Sequence, residues 1–139
     1  MSNPRLIEPD DLEDLTHRLL GRFFVAFARV ELNLSLRVGP DGSFGTKLVR
    51  FFEAAHLGPA NERFYEMVAW YMAADSAREF RNCFAHGRWG FINYTQTICH
   101  VSGYPPNPQS EMRFSLAQLD AIVSDTELLG SEICPIAYE

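Results

Sequence analysis

The chain has 139 residues, enough for one domain and too few for two comfortable ones. Hydrophobic residues make up 47% and aromatics 13%, which supports a filled core and speaks against a disordered chain. A net charge of -6 excludes a broadly basic nucleic-acid coat, though not a small basic site.

Cys83, Cys99 and Cys134 form no C-x-x-C pair, which speaks against a zinc ribbon or disulfide framework. Reduced thiols and a cytoplasmic setting are expected. The acidic start, Ile7 to Asp11, does not read as a signal peptide. No apolar run reaches the ~18 residues of a membrane span.

Residues 1–9 read as a loose arm ended by Pro9, and Asp10 with Glu13 has capping-box spacing. Leu12, Leu15, Leu19, Phe23, Phe27, Val30 and Leu34 then recur at steps of three and four. They predict a helix to about Val38, roughly 40 Å long at ~1.5 Å per residue. Leu20, Phe24, Leu32 and Leu36 widen its apolar surface, so contact from two sides is expected. Gly39-Pro40-Asp41-Gly42 breaks it.

A second helix is expected from Ser43 to Leu57, burying Phe44, Leu48, Phe51, Phe52 and Ala55 and stopped by Gly58-Pro59. Asn61 suits the cap of a third, which runs to about Ala85, with Gly87 placed for left-handed backbone beyond its end. Trp89 to Tyr94 and Gln96 to Val101 are aromatic and β-branched and predict a hairpin turning near Asn93 to Thr95. Ser102 to Pro108 is a loop, and Met112 to Phe114 a short third strand. Ser115 with Gln118 repeats the capping-box pattern. Leu116, Leu119, Ile122, Val123 and Leu129 predict a last amphipathic helix. The tail from Cys134 carries no pattern. Residues 1–139 thus read as one mainly α domain: about four helices, with a hairpin or small sheet (88–115) inserted before the last.

At ~100° per residue, Ala69, Met72, Ala73, Ser76, Ala77, Phe80, Cys83 and Phe84 of the third helix fall on one side, the expected core face. The other side carries Met67, Trp70, Tyr71 and Ala74 first, then Arg78, Arg81, Asn82 and His86, with Asn82 and His86 stacked four apart. A helix apolar on both faces needs cover on both. Helices one and two are expected over one face and a second copy of the chain over Met67, Trp70, Tyr71 and Ala74. The resulting two-fold homodimer brings two polar clusters together. Cover by the first helix or the hairpin of the same chain is the alternative.

Arg81-Asn82-Cys83-Phe84-Ala85-His86 is an Arg-polar-x-x-x-His pattern, followed by Gly87 and set near the end of a long helix. In this it resembles the HEPN superfamily, many of whose members are toxins or antiviral and stress-response RNases that work without metal as all-helical dimers. Three positions in six carry the resemblance; elsewhere it is one of architecture, and the hairpin departs from the minimal bundle. It implies a HEPN-like bundle acting as a metal-independent endoribonuclease, with no cofactor, RNA as substrate and an antitoxin or regulatory protein as partner.

The resemblance also implies roles. His86 is the acid or base, either role being open to an imidazole. Arg81 holds the phosphate with its planar fork. Asn82 orients His86 or the substrate. The products are a 2′,3′-cyclic phosphate and a 5′-hydroxyl. Some relatives bind RNA or a ligand without cutting it, so a non-catalytic RNA- or protein-binding regulatory module is the alternative. An arginine and a histidine at a helix end also suit the negative end of the helix dipole with no chemistry at all.

Arg78 and Arg88 flank the motif and either draw RNA or pair with nearby acids. Trp89, Phe91 and Tyr94 can stack bases, but such a run more often fills the core of a small sheet. His17, His56 and His100 have no ligand spacing, so no metal site is expected. Glu31 and Asn33 interrupt the apolar first helix and are assigned to a solvent-facing edge.

Overall fold

The structure, a computed structural model, describes residues 9–103 and 109–132. Within them the elements run α1 (Pro9–Val38), α2 (Phe44–Ala55), α3 (Glu62–Ala85), β1 (Arg88–Ile92), β2 (Thr97–Ser102), β3 (Ser110–Phe114) and α4 (Leu116–Ser131). The helix starts are set by caps that satisfy free backbone N–H groups. Ser43 accepts from the Thr46 N–H, Asn61 from the Phe64 N–H, and Ser115 and Gln118 form the full capping box. Asp10 is already helical, so the expected cap is not there. Its side chain, the arm, most of the 102–108 loop and the Cys134 tail lie outside the described residues.

The three strands form one antiparallel sheet in the order β1-β2-β3, with Trp89 opposite His100 and His100 opposite Met112. Two apolar clusters fill the interior. One joins Phe27, Val30 and Leu34 of α1 to Leu48 and Phe51 of α2 and Met67, Trp70 and Ala74 of α3. The other joins Leu12, Leu19 and Phe23 of α1 to Phe84, Ile98, Phe114 and Leu119. α3 and α4 take part in both clusters, while α2 enters only the first and the sheet only the second.

This arrangement corrects the expected interface. Met67, Trp70 and Ala74 are 2%, 4% and 0% exposed, and Tyr71 packs against the same cluster. They are the core of their own chain and cannot carry a dimer contact. The expected core face is instead bare over its first half, where Ala69 and Ala73 are exposed and Met72 is 62% exposed. The physical reason is payload: covering tryptophan and methionine removes far more apolar area from water than covering alanines. α1 is contacted from two sides, by α4 on one and by α2 and α3 on another, but part of its wide apolar surface stays bare. Leu15, Phe24, Leu32 and Leu36 all stand at its surface, as does Phe52 of α2.

α1 packs most extensively on α4. The backbones meet at Gly130, where an added Cβ would lie 2.9 Å from the Ala26 carbonyl oxygen. Asn33 Nδ2 donates to the carbonyls of Gly130 (2.9 Å) and Glu132 (3.0 Å), so this residue closes the end of α4. Glu31 lies 3.9 Å from buried Lys47, whose Nζ donates to Ser35 Oγ at 2.8 Å. Gly130→Ala is expected to cost about 1–3 kcal/mol through overpacking. Gly21→Ala, with nothing within 4 Å of the new methyl, is expected to gain about 1 kcal/mol of helix propensity. Opposite shifts in melting temperature check the pair; equal shifts would mean that the helices do not meet at Gly130.

On the outer side, Arg22 hydrogen-bonds Glu127 and holds its carboxyl below the usual carboxylate range. The pair stabilises above that range and its contribution fades as pH falls through it. Both groups face solvent, so the effect is small. No described helix is long and apolar enough to cross a membrane.

Candidate functional site

α2 has 12 residues and α3 has 24. Phe51 lies 5.2 Å from Trp70, Phe52 4.8 Å from Tyr71 and His56 5.3 Å from Phe64, ring to ring. α2 thus runs antiparallel along the first half of α3 only. At ~1.5 Å per residue, α3 outruns it by about 18 Å. On that overrun the face that was apolar under α2 turns polar and carries Arg78, Arg81 and Asn82. Arg81 and Asn82 are exposed, and Arg81 Nη1 donates to Asn82 Oδ1 at 3.3 Å. Arg81 makes no ion pair among the described residues.

Arg78 is the exception in the group. Its Nε and Nη2 donate to Asp75 Oδ1 at 2.9 and 2.8 Å, so its charge is already answered one turn back. Arg88 opens β1 and is exposed.

His86 is not the last helical residue. It is the C-cap, with extended backbone at φ -128° and ψ 161°, and its N–H donates to the Cys83 carbonyl. The expected stacking of Asn82 and His86 four apart on one helix face therefore does not form. The helix unwinds because Gly87 follows at φ +91°, a left-handed conformation that redirects the chain into β1. The His86 side chain is exposed beside the end of the helix.

The backbone beneath it is fastened to the sheet. His100 on β2 is 1% exposed, and its Nε2 lies 2.6 Å from the His86 carbonyl oxygen. A carbonyl only accepts, so Nε2 carries the proton and donates. The ring sits 4.7 Å from Trp89 and 6.2 Å from Phe84, centroid to centroid. Phe84 in turn packs 5.2 Å from Phe23 of α1 and 5.9 Å from Phe114 of β3. Trp89 and Phe91 are half-buried parts of this packing, while Tyr94 stands 98% exposed in the turn. The sheet thus acts as the bracket for the end of α3.

His100 as an anchor escaped the sequence reading, which treated it as a scattered histidine. The available signal was its place inside an otherwise apolar strand run, Ile98-Cys99-His100-Val101. His100→Phe keeps the ring packing and removes the donor, leaving the His86 carbonyl without its partner. An orphaned buried acceptor costs about 1–3 kcal/mol, so a lower melting temperature is expected; an unchanged one would show the bond to be idle.

Among the described residues no three His, Cys, Asp or Glu side chains gather as a metal site would require. Comparison with protein-family models, with curated proteins and with solved structures found no match.

Proposed function

We propose that this chain is a metal-independent endoribonuclease of the HEPN kind, of the toxin, defence or stress-response type. The observation that carries the proposal is the state of Arg81, Asn82 and His86. They stand exposed at the overrun of α3, and neither Arg81 nor His86 is tied to a carboxylate among the described residues.

In the proposed reaction the neutral imidazole of His86 takes the proton of a ribose 2′-hydroxyl. The 2′-oxygen attacks the adjacent phosphorus, and the bond from phosphorus to the 5′-oxygen breaks. Arg81 offsets the charge that gathers on the phosphate oxygens. The leaving 5′-oxygen needs a proton, and a protonated His86 from a second copy in a two-fold pair supplies it. Such a pair joins through the overrun of α3, not through Met67, Trp70, Tyr71 and Ala74. Arg88 adds positive potential beside the site.

The exposure of all three side chains in one copy favours a second reading, an RNA- or protein-binding regulatory module that does no chemistry. One experiment separates them: incubation of structured and unstructured RNA with the purified protein in EDTA. Cleavage to 2′,3′-cyclic phosphate ends, read by mass spectrometry, is expected. Binding without turnover would favour the regulatory module.

A further inference from the structure

The outer face of α1 is apolar and uncovered by any described element. Val25, Leu32 and Leu36 are 57%, 58% and 73% exposed, and Gly21 and Ala28 are exposed with them. Gly21, Val25, Ala28 and Leu32 follow steps of four, three and four. At ~100° per residue they fall within about 60° of arc, the seam that one helix offers another. Gly21 serves no packing need among the described residues, since a Cβ there meets nothing within 4 Å. A glycine inside a helix costs about 1 kcal/mol against alanine. It leaves the seam open to close approach by another backbone.

A basic edge runs beside the seam. Arg18, Arg22 and Arg29 lie within about 40° of arc on the side toward α4. With Gly21, Val25, Ala26 and Glu127 they line an open groove of about 540 Å³. Arg22 is answered by Glu127 and stands 3.9 Å from Asp120. Arg18 and Arg29 make no ion pair within 4 Å among the described residues, although the charge of Arg29 also acts on Glu127 across the groove. In a chain of net charge -6 with 12 cationic residues, three on one helix edge are a local concentration.

We propose that this face of α1 docks an amphipathic helix of a partner protein, with an apolar heptad seam and an acidic flank. The partner's apolar side chains cover Val25, Ala28 and Leu32, and its carboxylates meet Arg18 and Arg29. The charged edge fixes which partner binds and in which direction. A second copy of this chain fits less well. Antiparallel self-pairing sets the arginine edge against itself, and parallel self-pairing sets it against an edge of Phe24, Glu31 and Ser35, whose one carboxylate already lies 3.9 Å from Lys47. An RNA backbone would use the arginines and leave Leu32 and Leu36 bare. The inference stands apart from the proposed cleavage and does not need it.

The test uses a displayed library of three-heptad helical peptides with one face randomised, selected on the wild-type protein. Enriched peptides are expected to be apolar at the seam positions and rich in Asp and Glu along one flank. Their binding, by fluorescence anisotropy, is expected to fall at least tenfold on the Val25→Glu/Leu32→Glu double variant. Selection on Arg18→Glu/Arg29→Glu is expected to enrich Lys and Arg instead. Gly21→Leu blocks the seam while raising helix propensity, and replaces the first double variant if that does not fold. Enriched peptides without an acidic flank, or binding indifferent to these variants, overturn the proposal. So does a wild-type dimer that sediments as a monomer after Val25→Glu/Leu32→Glu, which would give the face to a second copy. Loss of labelled polyuridine binding on the same variant would give it to RNA.

Discussion

Gly87→Ala is expected to melt about 10 °C below the wild-type protein. Gly87 holds φ +91°, and a Cβ built there lies 2.4 Å from the Val101 carbonyl oxygen and 3.0 Å from His100 Nε2. The first is backbone of β2, paired with Arg88 of β1 and Glu111 of β3, and cannot step aside alone. Left-handed backbone costs a side-chain-bearing residue about 1–2 kcal/mol, and relieving the clash means parting β1 from β2 or breaking the His100 bond. A total on the order of 3 kcal/mol, at roughly 3 °C per kcal/mol for a domain of this size, gives the expected shift. Gly90→Ala is the control, three residues on in β1. Nothing lies within 4 Å of its added methyl and its φ is not positive, so its melting temperature should stay within about 2 °C. If the two alanine variants melt together, the bracket under His86 is not what holds the end of α3.

The other large effect is on chemistry and leaves stability alone. His86→Ala is expected to slow RNA cleavage by about 10²- to 10⁴-fold, the usual worth of a placed acid or base. Arg81→Ala should slow it by about 10²- to 10³-fold, as removal of a charge-stabilising donor does. Arg81→Lys should recover little, because a point charge does not reproduce a two-pronged fork. Both native side chains are exposed, so each variant should melt within about 2 °C of the wild type. Single-turnover cleavage in EDTA is the measurement. Cleavage by His86→Ala at the wild-type rate would sink the assignment even if RNA still binds.

Much of the architecture was legible because its signals are local. Ser43, Asn61 and the Ser115–Gln118 box marked helix starts, and the aromatic, β-branched stretch after Gly87 marked the hairpin. What failed were choices between two local patterns of equal strength. Both faces of α3 are apolar over 67–77, and periodicity does not say which face a neighbour will cover. The placement of α2 decided it, since its 12 residues lie along the Phe64, Trp70 and Tyr71 face of α3 and not along the opposite one. The outer stripe of α1 misled in the same way: Leu32 and Leu36 read as core by composition and are bare in the chain alone. At the candidate site, Arg81, Asn82 and Gly87 were visible as a pattern. The helix end at about Ala85 was right, but His86 was still placed on the helical face, because spacing of ~100° per residue does not register the unwinding at the cap before a left-handed glycine. The His100 anchor depends on pairing across 14 residues, which no local pattern encodes.

The broad contact of α1 with α4 has a consequence for a chain still on the ribosome. Leu12, Leu19 and Phe23 share their cluster with Leu119 and Val123, so part of the α1 face stays in water until the last described helix has been made. At roughly 5–20 residues per second, that delay is several seconds. The strand bearing His100 also follows the motif it anchors. A nascent fragment ending with His86 carries every residue of the proposed site and lacks the sheet that holds it. Synthesis order alone therefore keeps the end of α3 unassembled until translation of the domain is nearly done.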